Sequence, residues 1–216
     1  ESDGRVREIQ KIDFPEQYSY QRGKSKRVNL QLDNEENLYF LYSFKNHEKQ
    51  YVEELIKCSV DEHLIVCKEV LKFNLGQLMY AVSPSGKYIM HPNESGESLS
   101  LMLRETESKK IVGSINGGGI SFGENTFSPD GKSIYFTSNR KESIGGLDIF
   151  RSDLSEDGTW GEPVNLGPEV NTTASEILPV LSPEGKFLFY KSNFGGVLWV
   201  ETRHIEARGR CITAGN

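Results

Sequence analysis

The stretch Phe127-Ser-Pro-Asp-Gly-Lys-Ser-Ile-Tyr-Phe-Thr-Ser-Asn-Arg140 decides the fold. Ser128-Pro-Asp-Gly131 has the chemistry of a tight turn: proline fixes φ at the first corner, aspartate bonds its own backbone, and glycine takes a positive φ. Ile134-Tyr135-Phe136 follows at once and is too short for a helix, so it predicts a buried inner strand. Working outward, Gly145-Gly146 marks a break before a strand from Leu147 to Ser152, and Asp157-Gly158 marks another before Trp160 to Leu166. The unit reads as four strands joined by three turns.

That unit recurs. Ser182-Pro-Glu-Gly-Lys-Phe-Leu-Phe-Tyr-Lys-Ser192 and Ser83-Pro-Ser-Gly-Lys-Tyr-Ile-Met-His-Pro-Asn93 repeat it, and Asp33-Asn-Glu-Glu-Asn-Leu-Tyr-Phe-Leu-Tyr-Ser43 is an eroded copy without Pro or Gly in its turn. Six positions after the first turn residue stand Tyr39, Ile89, Ile134 and Leu188; the next position holds Phe40, Met90, Tyr135 and Phe189. A strand apolar on both faces fits between neighbouring sheets, whereas a half-exposed strand alternates. The copies start at 33, 83, 128 and 182, spacings of 50, 45 and 54 residues, close to the period of propeller blades.

The expected fold is therefore an all-β β-propeller, one domain over residues 1–216, with four four-stranded blades at about 27–71, 76–115, 122–166 and 175–206. The segment Glu48 to Lys57 contains helix formers, but its register with the other copies predicts a strand. Arg5 to Asp13 is a spare strand-like segment, while the last blade lacks a fourth strand. The economical reading lets the first supply the second and close the ring, which removes an exposed sheet edge. Residues 207–216 read as a surface tail.

A formal charge of −6, a pI near 5.4 and the lack of a basic stripe argue against nucleic acid as a partner. No apolar run approaches the roughly 18 residues that span a bilayer, and the N-terminus does not read as a signal peptide. Cys58, Cys67 and Cys211 make an odd count. With a hairpin turn from Val60 to His63, Cys58 and Cys67 fall slightly out of register, which favours small buried side chains over a bridge.

In its Ser-Pro-Asp/Glu-Gly-Lys turns, Gly145-Gly-Leu-Asp-Ile-Phe-Arg-Ser152, Trp160-Gly-Glu-Pro-Val-Asn-Leu-Gly167 and Asn171, the sequence resembles the WD40-like propeller repeat of the TolB type. The match is strongest over residues 122–206, moderate over 76–115 and weak before that. The resemblance implies a docking platform, usually non-enzymatic, in the bacterial periplasm or cell envelope. Such propellers commonly have six or more blades against the four counted here. Three arrangements remain open: a ring closed within the chain, part of a larger ring, and a ring completed by two chains.

Motifs for catalysis are missing from the sequence. There is no Gly-x-Ser-x-Gly elbow, and His47, His63, His91 and His204 lack metal-ligand spacing. Ser155-Glu-Asp-Gly-Thr-Trp160 departs from the spacing of a sialidase aspartate box and reads as a turn before an outer strand. Asp148, inside an apolar strand, must be hydrogen-bonded or solvated; the expected partners are backbone amides or the Arg140 or Arg151 side chain. No catalytic residue, cofactor or metal is expected. Candidate binding residues are those where the chain enters successive blades, expected to gather at one mouth of the channel: Gln77, His91, Ser121, Glu124, Asn125, Asn171, Ser175 and Glu176. The expected partner is a protein or a cell-wall glycan, bound by a monomer or small oligomer. Two rival readings are a carbohydrate-active enzyme in which His91 and carboxylates converge on the channel, and an incomplete propeller serving as an assembly or secretion-machine subunit.

Overall fold

The computed structural model describes residues 25–45, 48, 51–61, 64–73, 80–93, 100–116 and 122–205. Among the described residues fifteen strands form four antiparallel sheets, each running from the centre outward in chain order. Blade 1 comprises β1 (Ser25–Leu32), β2 (Leu38–Lys45), β3 (Tyr51–Asp61) and β4 (Leu64–Phe73). Blade 2 comprises β5 (Ala81–Val82), β6 (Tyr88–Pro92), β7 (Ser100–Glu105) and β8 (Ile111–Asn116). Blade 3 comprises β9 (Phe122–Phe127), β10 (Ser133–Ser138), β11 (Asp148–Asp153) and β12 (Val164–Asn165). Among the described residues blade 4 has three strands, β13 (Glu176–Leu181), β14 (Phe187–Ser192) and β15 (Gly196–Glu201), followed by the helical turn α1 (Thr202–Ile205). The fold is an all-β, four-bladed β-propeller. Arg5 to Asp13 and its closure of the ring lie outside the described residues.

The repeated turns are built alike. Gly86, Gly131 and Gly185 have φ of 67°, 71° and 71°, and each amide donates 2.8 Å to the carbonyl of the serine that opens its turn. That serine's hydroxyl accepts the amide of the residue starting the next strand: Tyr88, Ser133 or Phe187. In blade 1 the Asp33 carboxylate takes the serine's place, accepting from the Asn37 amide at 2.9 Å, and Glu36 adopts the left-handed φ of 60°. This turn is one residue shorter. Leu32 pairs with Leu38, whereas Val82 pairs with Ile89 and Phe127 with Ile134.

The alignment of the eroded copy is therefore corrected by one position. Leu38, and not Tyr39, matches Ile89, Ile134 and Leu188, while Tyr39 matches Met90, Tyr135 and Phe189. A slip of one residue exchanges the two faces of a strand, and the packing agrees. Tyr39 and Leu41 face blade 2, in a cluster with Val82 and Ile89. The leading face of each blade thus packs on the trailing face of the next. Met90, Leu101 and Leu103 of blade 2 meet Phe127, Ile134 and Phe136 of blade 3; Tyr135 and Ile149 of blade 3 meet Leu188, Tyr190 and Ile205 of blade 4. Each large apolar side chain buried in these junctions contributes on the order of 1.5–3 kcal/mol.

A second correction concerns the cysteines. Asp61 pairs with Leu64, so the β3–β4 loop is only two residues long and Cys58 lies directly opposite Cys67. Their Cα atoms are 4.0 Å apart and the sulfurs form a disulfide. Placing the turn at Val60 to His63 had shifted the hairpin out of this register. Cys211 lies outside the described residues.

Candidate channel site

The innermost strands β1, β5, β9 and β13 and the turns that follow them line one central cavity of about 610 Å³. Its mouth is framed by Asn34 and by Pro84, Pro129 and Pro183 of the three Ser-Pro turns. These turns are locked to one another: the Asn34 amide donates 2.7 Å to the Pro84 carbonyl, and Gly185 sits against the Pro129 ring. Inside, the Gln31 amide bridges two blades, donating 2.8 Å to the Tyr80 carbonyl and accepting 2.7 Å from the Val82 amide. The scaffold around the cavity is thus fixed by backbone contacts on several sides.

Two features of the lining stand apart from the rest of the inner strands. Asn125 on β9 is 6 % exposed, and neither its Oδ1 nor its Nδ2 has a hydrogen-bond partner among the described residues. An unpaired buried amide costs about 1–3 kcal/mol per group. Leu178 on β13 has φ of 57°, at the register shift between Ile177 and Val180. A left-handed conformation at a bulky residue is strained, and the bulge turns Leu178 and Val180 into the cavity.

The candidate residues named from the sequence divide by position. Glu124 and Asn125 line the cavity. Ser175, Glu176 and Asn171 stand together at the junction of blades 3 and 4 and carry internal bonds. The Ser175 hydroxyl accepts the Leu147 amide at 3.1 Å. Glu176 accepts from the Thr172 amide and hydroxyl and from the Ser192 hydroxyl. Asn171 mimics a strand: its Oδ1 accepts the Ile149 amide at 2.8 Å while its Nδ2 donates 2.9 Å to the Ile149 carbonyl. His91 is buried within blade 2, its Nε2 accepting 3.1 Å from Arg104 Nε. Gln77 and Ser121 lie outside the described residues. Sequence reasoning did not single out Leu178; its apolar strand context gives no signal of a bulge.

Asp148 accepts the amides of Ile144 and Gly145 at 2.6 and 3.1 Å, and Asn165 Nδ2 at 2.7 Å. Backbone amides hold it as expected, with Asn165 in the place foreseen for an arginine. Among the described residues no group of three or more His, Cys, Asp or Glu side chains is placed to hold a metal, and no helix is long and apolar enough to cross a membrane.

No family model matches the sequence and no curated protein matches it. Solved structures do. TolB from Acinetobacter baumannii superposes with a TM-score of 0.58 at 16 % identity, over 82 % of this chain and 44 % of TolB. A prolyl endopeptidase superposes at 0.55 and 17 % identity, over 82 % of this chain and 28 % of the other. The β-propeller domain of Cps50 (Swd1) from Myceliophteria thermophila superposes at 0.52 and 7 % identity, covering 83 % and 55 %. This chain spans less than half the length of the first two. At these identities the likeness is one of fold, and in fold the chain is a TolB-like β-propeller.

Proposed function

We propose that the chain is a non-catalytic propeller scaffold that binds a protein partner at the turn-framed mouth of its channel, in the cell envelope of a bacterium. The observation that carries this reading is Asn125, a buried amide whose donor and acceptor are both unused among the described residues, at the wall of a preformed cavity. A peptide backbone offers the matching carbonyl and amide. The exposed Leu30, Leu32, Leu178 and Val180 around it suit apolar side chains better than sugar hydroxyls. The Cys58–Cys67 disulfide supports an oxidising compartment. A catalytic reading would need His91 to converge with carboxylates on the channel, and His91 is not part of the cavity lining.

A group kept for binding is costly in the free protein. Asn125→Leu is expected to stabilise the isolated chain by about 1 kcal/mol, a rise of roughly 2–4 °C in melting temperature. The same substitution should weaken capture of envelope proteins by about tenfold, while muropeptides in excess should leave that capture unchanged. A lower melting temperature would mean that Asn125 serves the fold. Capture abolished by muropeptides would transfer the site to glycan.

A further inference from the structure

Among the described residues that line the channel cavity, Glu124 is the one ionisable side chain. It is half-buried on β9, directly before Asn125, and no described lysine, arginine or histidine pairs with its carboxylate. Most of the wall around it is apolar, with Leu30, Leu32, Leu178 and Val180 beside the turn prolines. β9 is the innermost strand of its sheet and turns its free edge toward the channel. Successive side chains of a strand alternate between its faces, so Glu124 and Asn125 flank that edge on either side. A chain lying over the edge reaches both.

We propose that the channel selects a basic side chain: the partner segment that enters it carries a lysine or arginine between apolar residues, the cation on Glu124 and the adjoining peptide group on Asn125. This rests on the reading of the channel as a protein-binding site and adds the chemistry that the site selects. Exclusion contributes as much as attraction. A carboxylate facing water is satisfied, but the same group is costly once a ligand displaces the water and offers it no partner. An uncharged segment filling the cavity would leave Glu124 in that state, and an acidic one would add repulsion. A basic one pairs the carboxylate, and the apolar walls strengthen the bond by keeping water from it. The formal charge of −6 on the chain draws the same partner toward the mouth from a distance.

The test is titration of the whole chain with acetyl-Leu-Lys-Leu-amide and with its glutamine and glutamate counterparts, followed by the NMR shifts of the protein. The lysine peptide should bind about tenfold more tightly than the glutamine peptide, and the glutamate peptide more weakly than either. Glu124→Gln should erase the preference for lysine and leave the glutamine peptide within about twofold of its affinity for the natural chain, which also shows that the cavity is intact. Glu156→Gln removes the same charge from an exposed turn and should change the preference by less than about twofold. Lysine and glutamine peptides bound alike, a preference that survives Glu124→Gln or falls as far with Glu156→Gln, or no binding of any of the three peptides would each overturn the proposal. Asn125→Leu keeps the charge at position 124 and separates the two readings. Capture of envelope proteins that depends on Asn125, without a preference for lysine, fails this proposal alone; capture indifferent to Asn125 fails the reading beneath it.

Discussion

Gly145→Ala is expected to destabilise the propeller by about 3 kcal/mol or more, lowering the melting temperature by roughly 6–12 °C. A Cβ at this position would fall well inside 3.0 Å of the Thr172 and Ala174 carbonyl oxygens and of the Thr173 carbonyl carbon. All three are backbone atoms and cannot swing aside as a side chain can. They are also held: the Ala174 carbonyl accepts the Gly146 amide at 2.7 Å, and the Glu176 amide donates 2.7 Å to the Leu147 carbonyl. Room for the methyl therefore requires breaking the bonds that seat blade 4 on blade 3, and Asp148 would lose its hold on the Gly145 amide at the same time. Gly195→Ala is the control, since nothing lies within 4 Å of its added Cβ; its effect should stay within about 0.5 kcal/mol. Equal melting temperatures for the two variants would show that the loop from Thr172 to Ser175 yields without cost.

Gly145 illustrates what the sequence could and could not convey. It was legible as a break before a strand, because glycine pairs punctuate secondary structure. Its other property, an approach too close for any side chain, depends on a loop some thirty positions downstream and leaves no local mark. The three Ser-Pro-x-Gly turns were legible because their hydrogen bonds are local: serine, glycine and the first strand residue lie within six positions. Blade 1 lost its Pro and Gly, and its inner strand is apolar on both faces, so no alternation fixed which of Leu38 and Tyr39 faced blade 2. The parity became visible only in the pairing of Leu32 with Leu38. The disulfide was missed for a related reason: moving a hairpin turn by one position moves the residue opposite Cys58 by two, and only Asp61 opposite Leu64 brings in Cys67.

For the candidate site, the sequence indicated the inner strands because propellers gather one from every blade around an axis, and Glu124 and Asn125 follow from that geometry. What distinguishes Asn125 from Asn171 was not readable. Both are buried asparagines near blade entries. Asn171 satisfies itself on the Ile149 backbone, and Asn125 has no partner among the described residues. Only the three-dimensional pairing of donors and acceptors separates a structural amide from one free to meet a ligand.

His91 is expected to give the protein a stability that falls on mild acidification. The imidazole is 1 % exposed, and burial holds its pKa down to about 4; the hydrogen bond to the Pro92 carbonyl opposes this, and the charge of Arg104 adds to it. Because Arg104 Nε donates to Nε2, the neutral ring carries its proton on Nδ1, which donates 2.8 Å to Pro92. Between pH 6.5 and about 4 the unfolded chain binds a proton at this residue and the folded chain does not. Stability therefore decreases as pH falls through that window, by about 3 kcal/mol in all and about 2 kcal/mol between pH 7 and 5. Asp33 acts lower. Burial would raise its carboxyl, but bonds from Asn37, Tyr39 and Glu35 hold it below its usual 3.8, so its contribution is intact above that value and is lost only beneath it. Urea unfolding at pH 7 and pH 5 isolates the histidine. His91→Gln can accept from Arg104 and does not titrate, so it should lose about 2 kcal/mol less than the natural chain across that interval. Parallel losses in the two proteins would mean that the imidazole charges freely within the fold, and that the bond from Arg104 does not hold it neutral.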